Sequence, residues 1–124
     1  MKLHADALTS FNTVTAYGPG FVEINQVRHH GSLIVAPDQP VEPWRVARFE
    51  SLRAEDFDPL LALHPDVVLI GTGTRQRFPH PRLTRRLTDV RIGVEVMDTA
   101  AACRTYNILM SEGRRVVAVF LQES

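Results

Sequence analysis

The sequence predicts an α/β domain of three layers: a mixed central sheet with a parallel core, flanking helices, and an N-terminal antiparallel β-meander packed alongside. Three observations lead there. From residue 67 to 121, apolar runs and helical patterns alternate as strand, helix, strand, helix, strand, a rhythm that crossover connections turn into parallel pairing. From residue 13 to 49, short alternating segments are separated by turns rich in Gly and Pro, the pattern of antiparallel hairpins. Finally, 124 residues and 13.9 kDa allow one hydrophobic core and no second, so residues 1–124 are expected to form a single domain.

The elements follow in order. Residues 13–17 alternate, Gly18-Pro19-Gly20 turns, and residues 21–27 alternate again, with apolar side chains at 22, 24 and, after a break, 27. His29-His30-Gly31 reads as a second turn into an apolar strand over 32–36, which Pro37 stops. After the Pro-rich connection 37–43, Trp44, Val46 and Arg48 oppose Arg45, Ala47 and Phe49, which predicts a fourth strand. Residues 55–63 then carry apolar side chains at 57, 60, 61 and 63 with acids in the first turn, a short helix by period and dipole. The continuous apolar run 67–70 is the kind buried on both faces of a parallel sheet. A short helix over 81–87, a strand over 92–96 and a long helix over 98–112 come next. Asp98 or Thr99 supplies the N-cap of that last helix, Gly113 ends it, and Ala102, Cys103, Tyr106, Leu109 and Met110 form its apolar stripe. Residues 116–121 close the pattern as a strand.

Charge narrows the functional classes. The formal net charge is zero, which argues against a nucleic-acid or membrane-surface binder by bulk electrostatics. The distribution is uneven, however. Arginines 75, 77, 82, 85, 86 and 91 share their stretch with a single acid, Asp89, whereas Glu50, Glu55, Asp56, Asp58 and Asp66 precede it. One cysteine, Cys103, excludes an internal disulfide and Cys-rich metal sites. The stretch MKLHADALTSF holds no apolar h-region or cleavage site, and the longest apolar runs are far too short to span a bilayer. A soluble, cytoplasmic protein is expected.

The order YGPGFVEIN, HHGSLIVAP, PDVVLIGTGTRQRFP and GVEVMDTAAACRTYNILMSEGRRVVAVF resembles a domain family of unknown function found in bacteria, archaea and eukaryotes. Its eukaryotic members include the mitochondrial NADH dehydrogenase (complex I) assembly factor 3 and an adipogenesis-associated domain protein. The resemblance covers about residues 13–121, and it implies a three-layer α/β fold on a mixed sheet. It implies no reaction, but it does imply an assembly role for at least one branch.

The candidate site begins at Gly71-Thr72-Gly73. Two glycines permit positive φ and close approach, as a phosphate cradle requires. A Walker A loop needs a following Gly-Lys-Ser/Thr, and a dinucleotide fingerprint needs a third glycine opening a helix. Arg75, Gln76, Arg77 and Phe78 follow instead, with Pro79 and Pro81 delaying the next helix, so this is no nucleotide loop. Two readings stay open: a tight exit from a buried strand, or a small-anion site at the carboxyl ends of the parallel strands. In the second, Gly71, Thr72 and Gly73 meet the free N–H groups of the helix start at Thr99. Arg75 or Arg77 adds a charge-assisted fork, and Glu95 stands by as a carboxyl for acid–base work.

The arginines read as a solvated helix face, as a surface for an acidic partner through Arg75, Arg77, Arg82, Arg85 and Arg86, or as a nucleic-acid patch. The last is weakened by zero net charge and by Phe78 being the sole aromatic close by. Neighbouring His29 and His30 on a strand face opposite ways and cannot easily share an ion, so no metal and no cofactor are expected. Cys103 reads as a small inert hydrophobe. Thr105, Tyr106 and Asn107, poor or polar mid-helix residues, predict structural hydrogen bonds to a neighbouring loop. Two function classes follow: a non-enzymatic protein-interaction or assembly module, or a binder of a small anion, or a small enzyme, built on Gly71–Gly73.

Overall fold

The computed structural model describes residues 11–122; the leader-free reading of the first residues falls mostly outside them. Strands β1 (Val14–Gly18), β2 (Phe21–Ile24) and β3 (Val27–His30) form a three-stranded antiparallel sheet in the order β1-β2-β3. A second sheet is built from β4 (Leu33–Val35), β5 (Glu42–Pro43), β6 (Val67–Gly71), β7 (Gly93–Met97) and β8 (Val116–Phe120), in the order β5-β4-β8-β6-β7. Strand β6 pairs in parallel with both β7 and β8, while β4 runs antiparallel to β8. Helices α1 (Asp58–Leu61), α2 (Pro81–Thr88) and α3 (Thr99–Ser111) complete the α/β fold that the sequence rhythm predicts.

The strand alternation sorts the core into two halves. Leu33, Val35, Val67, Leu69, Val116, Ala118 and Phe120 pack with Ala102, Cys103, Tyr106 and Met110 of α3 and with Val14, Val22 and Ile24 of the small sheet. The intervening residues, Ile34, Val68, Ile70, Val117 and Val119, pack on the other side with Trp44, Val46, Phe57, Leu60 and Leu87. Apolar side chains on both faces are what a parallel core demands, because helices cover each side. The cap of α3 falls where the sequence places it: the Asp98 carboxylate accepts from the Ala101 N–H at 2.8 Å, and Gly113 takes φ of 80°.

Three expectations on the first half are corrected. The break in residues 21–27 is a two-residue hairpin: Asn25 and Gln26 both adopt positive φ, 51° and 68°, the conformation of a tight turn that matches strand twist. His29 and His30 therefore lie in β3, opposite Val22 and Phe21, and Gly31, at φ of 91°, makes the next turn. Residues 44–49 form no strand. Pairing along this edge ends with the Trp44 N–H donating to the Ser32 carbonyl. Trp44 and Val46 are then drawn into the core, and Arg45 is held by Asp56 through its Nε and Nη2, each at 2.8 Å. Anchors to both sides of the segment outweigh its alternation.

The small sheet is fastened to α3 by side chains that the sequence singles out. Asn107 Oδ1 accepts from the Val14 N–H at 2.9 Å, and its Nδ2 donates to the Val14 carbonyl at 2.8 Å. The Tyr106 hydroxyl donates to the Asn12 carbonyl. The expectation of structural hydrogen bonds thus holds for Tyr106 and Asn107, though the partner of Asn107 is strand β1 and not a loop.

Candidate functional site

Strands β6, β7 and β8 end level with one another, Gly71 opposite both Met97 and Phe120. The chain leaving β6 is stitched to its neighbours at this edge. The Thr72 N–H donates to the Met97 carbonyl, the Leu121 N–H to the Gly71 carbonyl, and the Thr99 N–H to the Gly73 carbonyl, all at 2.9 Å. Thr99 Oγ1 accepts from the Gly73 N–H at 2.8 Å and donates to the Leu121 carbonyl at 3.0 Å. One threonine hydroxyl thus ties the ends of β6 and β8 to the start of α3.

Glycine is required here by contact as well as by φ. A Cβ on Gly71 would stand 3.1 Å from Thr99 Cα and from Ala102 Cβ, so the glycine lets α3 lie close on β6. Gly73 takes φ of 96°, which L side chains adopt only under strain. Thr72 is fully buried, and its hydroxyl lies 2.7 Å from the Arg75 carbonyl and 3.1 Å from the Arg77 N–H that donates to it. The N–H groups of Thr72, Gly73 and Thr99 are therefore already bonded inside the protein. Of the residues assigned to an anion site, Gly73 and Thr99 meet at one place, with Gly71 and Thr72 buried beneath them. Glu95 and Arg75 are exposed, Glu95 on the edge strand β7 and Arg75 on the loop beyond.

Beside this edge is a cavity of about 300 Å³, lined by Tyr17, Gly18, Pro19, Gly20, Gly73, Thr74, Asp98, Thr99, Ala100 and Gln122. It brings the Gly-Pro-Gly turn of the small sheet against the strand ends of the large one. Sequence reading misses it, because these pieces are joined only by the packing of the two sheets. The Tyr17 hydroxyl oxygen accepts from Arg104 at 2.9 Å, and this hydrogen bond, more than the charge, raises the Arg104 pKa.

The arginine cluster divides in two. Arg77 lies over the Phe49 ring at 4.6 Å, donates to the Thr72 carbonyl at 3.0 Å and reaches Glu50 at 3.4 Å, its side chain only 16% exposed. Arg86 binds Asp58, whose hydrogen bond and then charge raise its pKa. These two are spent on the acidic segment before β6. Arg82 and Arg85 stand outward on α2 and Arg75 on the loop before it, with Phe78 73% exposed between them in sequence. Among the described residues, Arg75, Arg82 and Arg85 form no ion pair.

A family model described as a protein of unknown function (DUF498/DUF598) matches residues 14–121. The chain is similar to NADH dehydrogenase (ubiquinone) 1 alpha subcomplex assembly factor 3 of Bos taurus, 37% identical over 97 residues, which are 77% of this chain and 52% of that protein. It spans about half the length of that relative. A 13 kDa major membrane protein of Francisella tularensis is 28% identical over 106 residues, 85% of this chain and 86% of that protein. A crystal structure of a Bordetella parapertussis protein superposes with a TM-score of 0.86 at 49% identity, covering 90% of this chain and 96% of that one.

Proposed function

The chain belongs to the DUF498/DUF598 family of proteins of unknown function, and from that premise we propose that it works as a non-enzymatic protein-binding assembly module. The observation that carries the reading is Phe78. A phenylalanine 73% exposed, close in sequence to three arginines without ion pairs among the described residues, has the composition of an interface hot spot: an aromatic anchor with forked cations nearby in the chain. Its partner is an acidic protein surface with an apolar recess for the ring. The name of the bovine relative, an assembly factor, supports the same direction. The anion reading of Gly71–Gly73 draws less support, because the N–H groups it needs are occupied and the Asp98 carboxylate lines the adjoining cavity.

Arg77 and Arg86 are omitted from the test, since their loss disturbs contacts within the fold. The chain and its Phe78→Ala, Arg82→Ala, Arg85→Ala variant are compared by affinity co-purification from native lysate, with circular dichroism as the folding control. A partner recovered with the first and lost with the folded variant supports the module; equal recovery with both removes this surface from consideration. The proposal sets the module in the cytoplasm, and recovery with membranes on cell fractionation contradicts that setting. Among the described residues, no helix is long and apolar enough to cross a membrane.

A further inference from the structure

The cavity between the Gly18–Gly20 turn and the strand ends has a chemistry of its own. Gln122 follows β8, its backbone N–H held by the Ser32 hydroxyl at 3.2 Å. Among the described residues, the side-chain nitrogen of Gln122 is buried with no hydrogen-bond partner, and Gln122 is among the residues that line the cavity. A buried amide donor left without an acceptor is destabilising, so the position calls for an acceptor that the described residues do not provide. The rest of the wall is largely Tyr17, Pro19, Ala100 and glycine backbone, apolar and short-armed.

The charges on this wall select the ligand. No arginine or lysine is among the described lining residues; the Asp98 carboxylate on the wall is bonded to the Ala101 N–H, and the Arg104 guanidinium, outside the lining, bonds the Tyr17 hydroxyl at 2.9 Å and feels the Asp98 charge. With a carboxylate and a cation both beside the wall, neither sign of charge is favoured in a ligand, and a single carboxylate already bonded is a poor seat for a metal cation. We propose that this cavity binds a small neutral molecule whose carbonyl or amide oxygen accepts from Gln122 Nε2, with its apolar body against Tyr17 and Pro19. At about 300 Å³ the space suits a ligand of one ring or a short acyl chain, at the small end of ligand sites.

The 15N-labelled protein is titrated with benzamide and with benzoate, which share a ring and differ in charge. Benzamide is expected to shift the amide signals of Gly20, Gly73, Thr74 and Ala100 and the side-chain amide of Gln122, all with one saturating curve. Benzoate is expected to bind at least about ten-fold more weakly, because its charge loses water on entering a wall whose described lining offers no cation to pair with it. Gln122→Leu is expected to weaken benzamide about ten-fold, the scale of one lost hydrogen bond in a buried site. If that variant does not fold, Thr74→Trp, at an exposed position, narrows the mouth and gives the same loss. Equal binding of benzoate, unchanged affinity in the folded variants, or no saturable shift with benzamide each overturns the proposal.

Discussion

Replacing Asn107 by alanine tests how the two sheets are joined. The carboxamide of Asn107 meets the Val14 N–H at 2.9 Å and the Val14 carbonyl at 2.8 Å, bonding the backbone of β1 as a neighbouring strand would. Alanine removes both bonds at a half-buried position. At about 1 kcal/mol net for each, the loss is about 2 kcal/mol. For a chain of this length, that lowers Tm by about 8 °C. Urea unfolding should show the fall as a lower midpoint with an unchanged slope, and amide exchange at Val14 should accelerate more than at Leu69 in the core. Asn107→Asp should be worse, about 3 kcal/mol, because an ionised oxygen then faces the Val14 carbonyl. A loss under about 0.5 kcal/mol in Asn107→Ala, the level of ordinary surface substitutions, would refute the argument.

The other expectations concern the core and the strand exit. Gly71→Ala should destabilise by about 1–3 kcal/mol, since its Cβ would meet Thr99 Cα and Ala102 Cβ at 3.1 Å; thermal melting checks it, and an unchanged Tm would mean that α3 can shift without cost. Asp56→Ala should cost about 2–3 kcal/mol by leaving the Arg53 N–H without its 2.7 Å acceptor and Arg45 without its fork, as denaturant titration will show. Burial pushes the Cys103 thiol up to about 12, so a disulfide reagent should react at neutral pH only after unfolding. Burial first and the charge of Asp38 second also raise the Tyr106 phenol. Both groups keep their protons longer in the folded state, so the unfolded chain binds fewer protons, and stability falls as pH rises above the unfolded thiol value of about 8.5. Urea midpoints between pH 8 and 11 should fall accordingly, and more gently in Cys103→Ala.

The second half of the fold was open to reading because its signals are local. The apolar run 67–70, the cap at Asp98 or Thr99 and Gly113 each settle one element by near neighbours. The first half depends on distant partners. Asn25-Gln26 turns without a glycine, and the alternation of residues 44–49 yields to Trp44, whose indole N–H donates to the Asp56 carbonyl at 3.0 Å. The site shows the same division. Gly71 and Gly73 mark a close approach, but composition cannot say whether the approaching group is a ligand or Thr99. Arg77 and Arg86 look like Arg82 and Arg85 in sequence, and only Phe49, Glu50 and Asp58, some thirty residues earlier, tell them apart. The cavity at Gln122 left no local trace, since its walls come from four separate stretches, at residues 17–20, 73–74, 98–100 and 122.

The place of β8 bears on how the molecule is made. Val116–Phe120 lies between β4 and β6, so the last of the described strands in chain order is the keystone of the large sheet. Until it is synthesised, residues 33–35 and 67–71 have no common neighbour, and the facing edges of β4 and β6 are left unpaired. Such late, long-range closure is slow and exposes apolar strand edges to aggregation. A ribosome that pauses before residue 116 therefore holds an unclosed sheet, and the yield of folded protein should depend on how quickly those five residues follow.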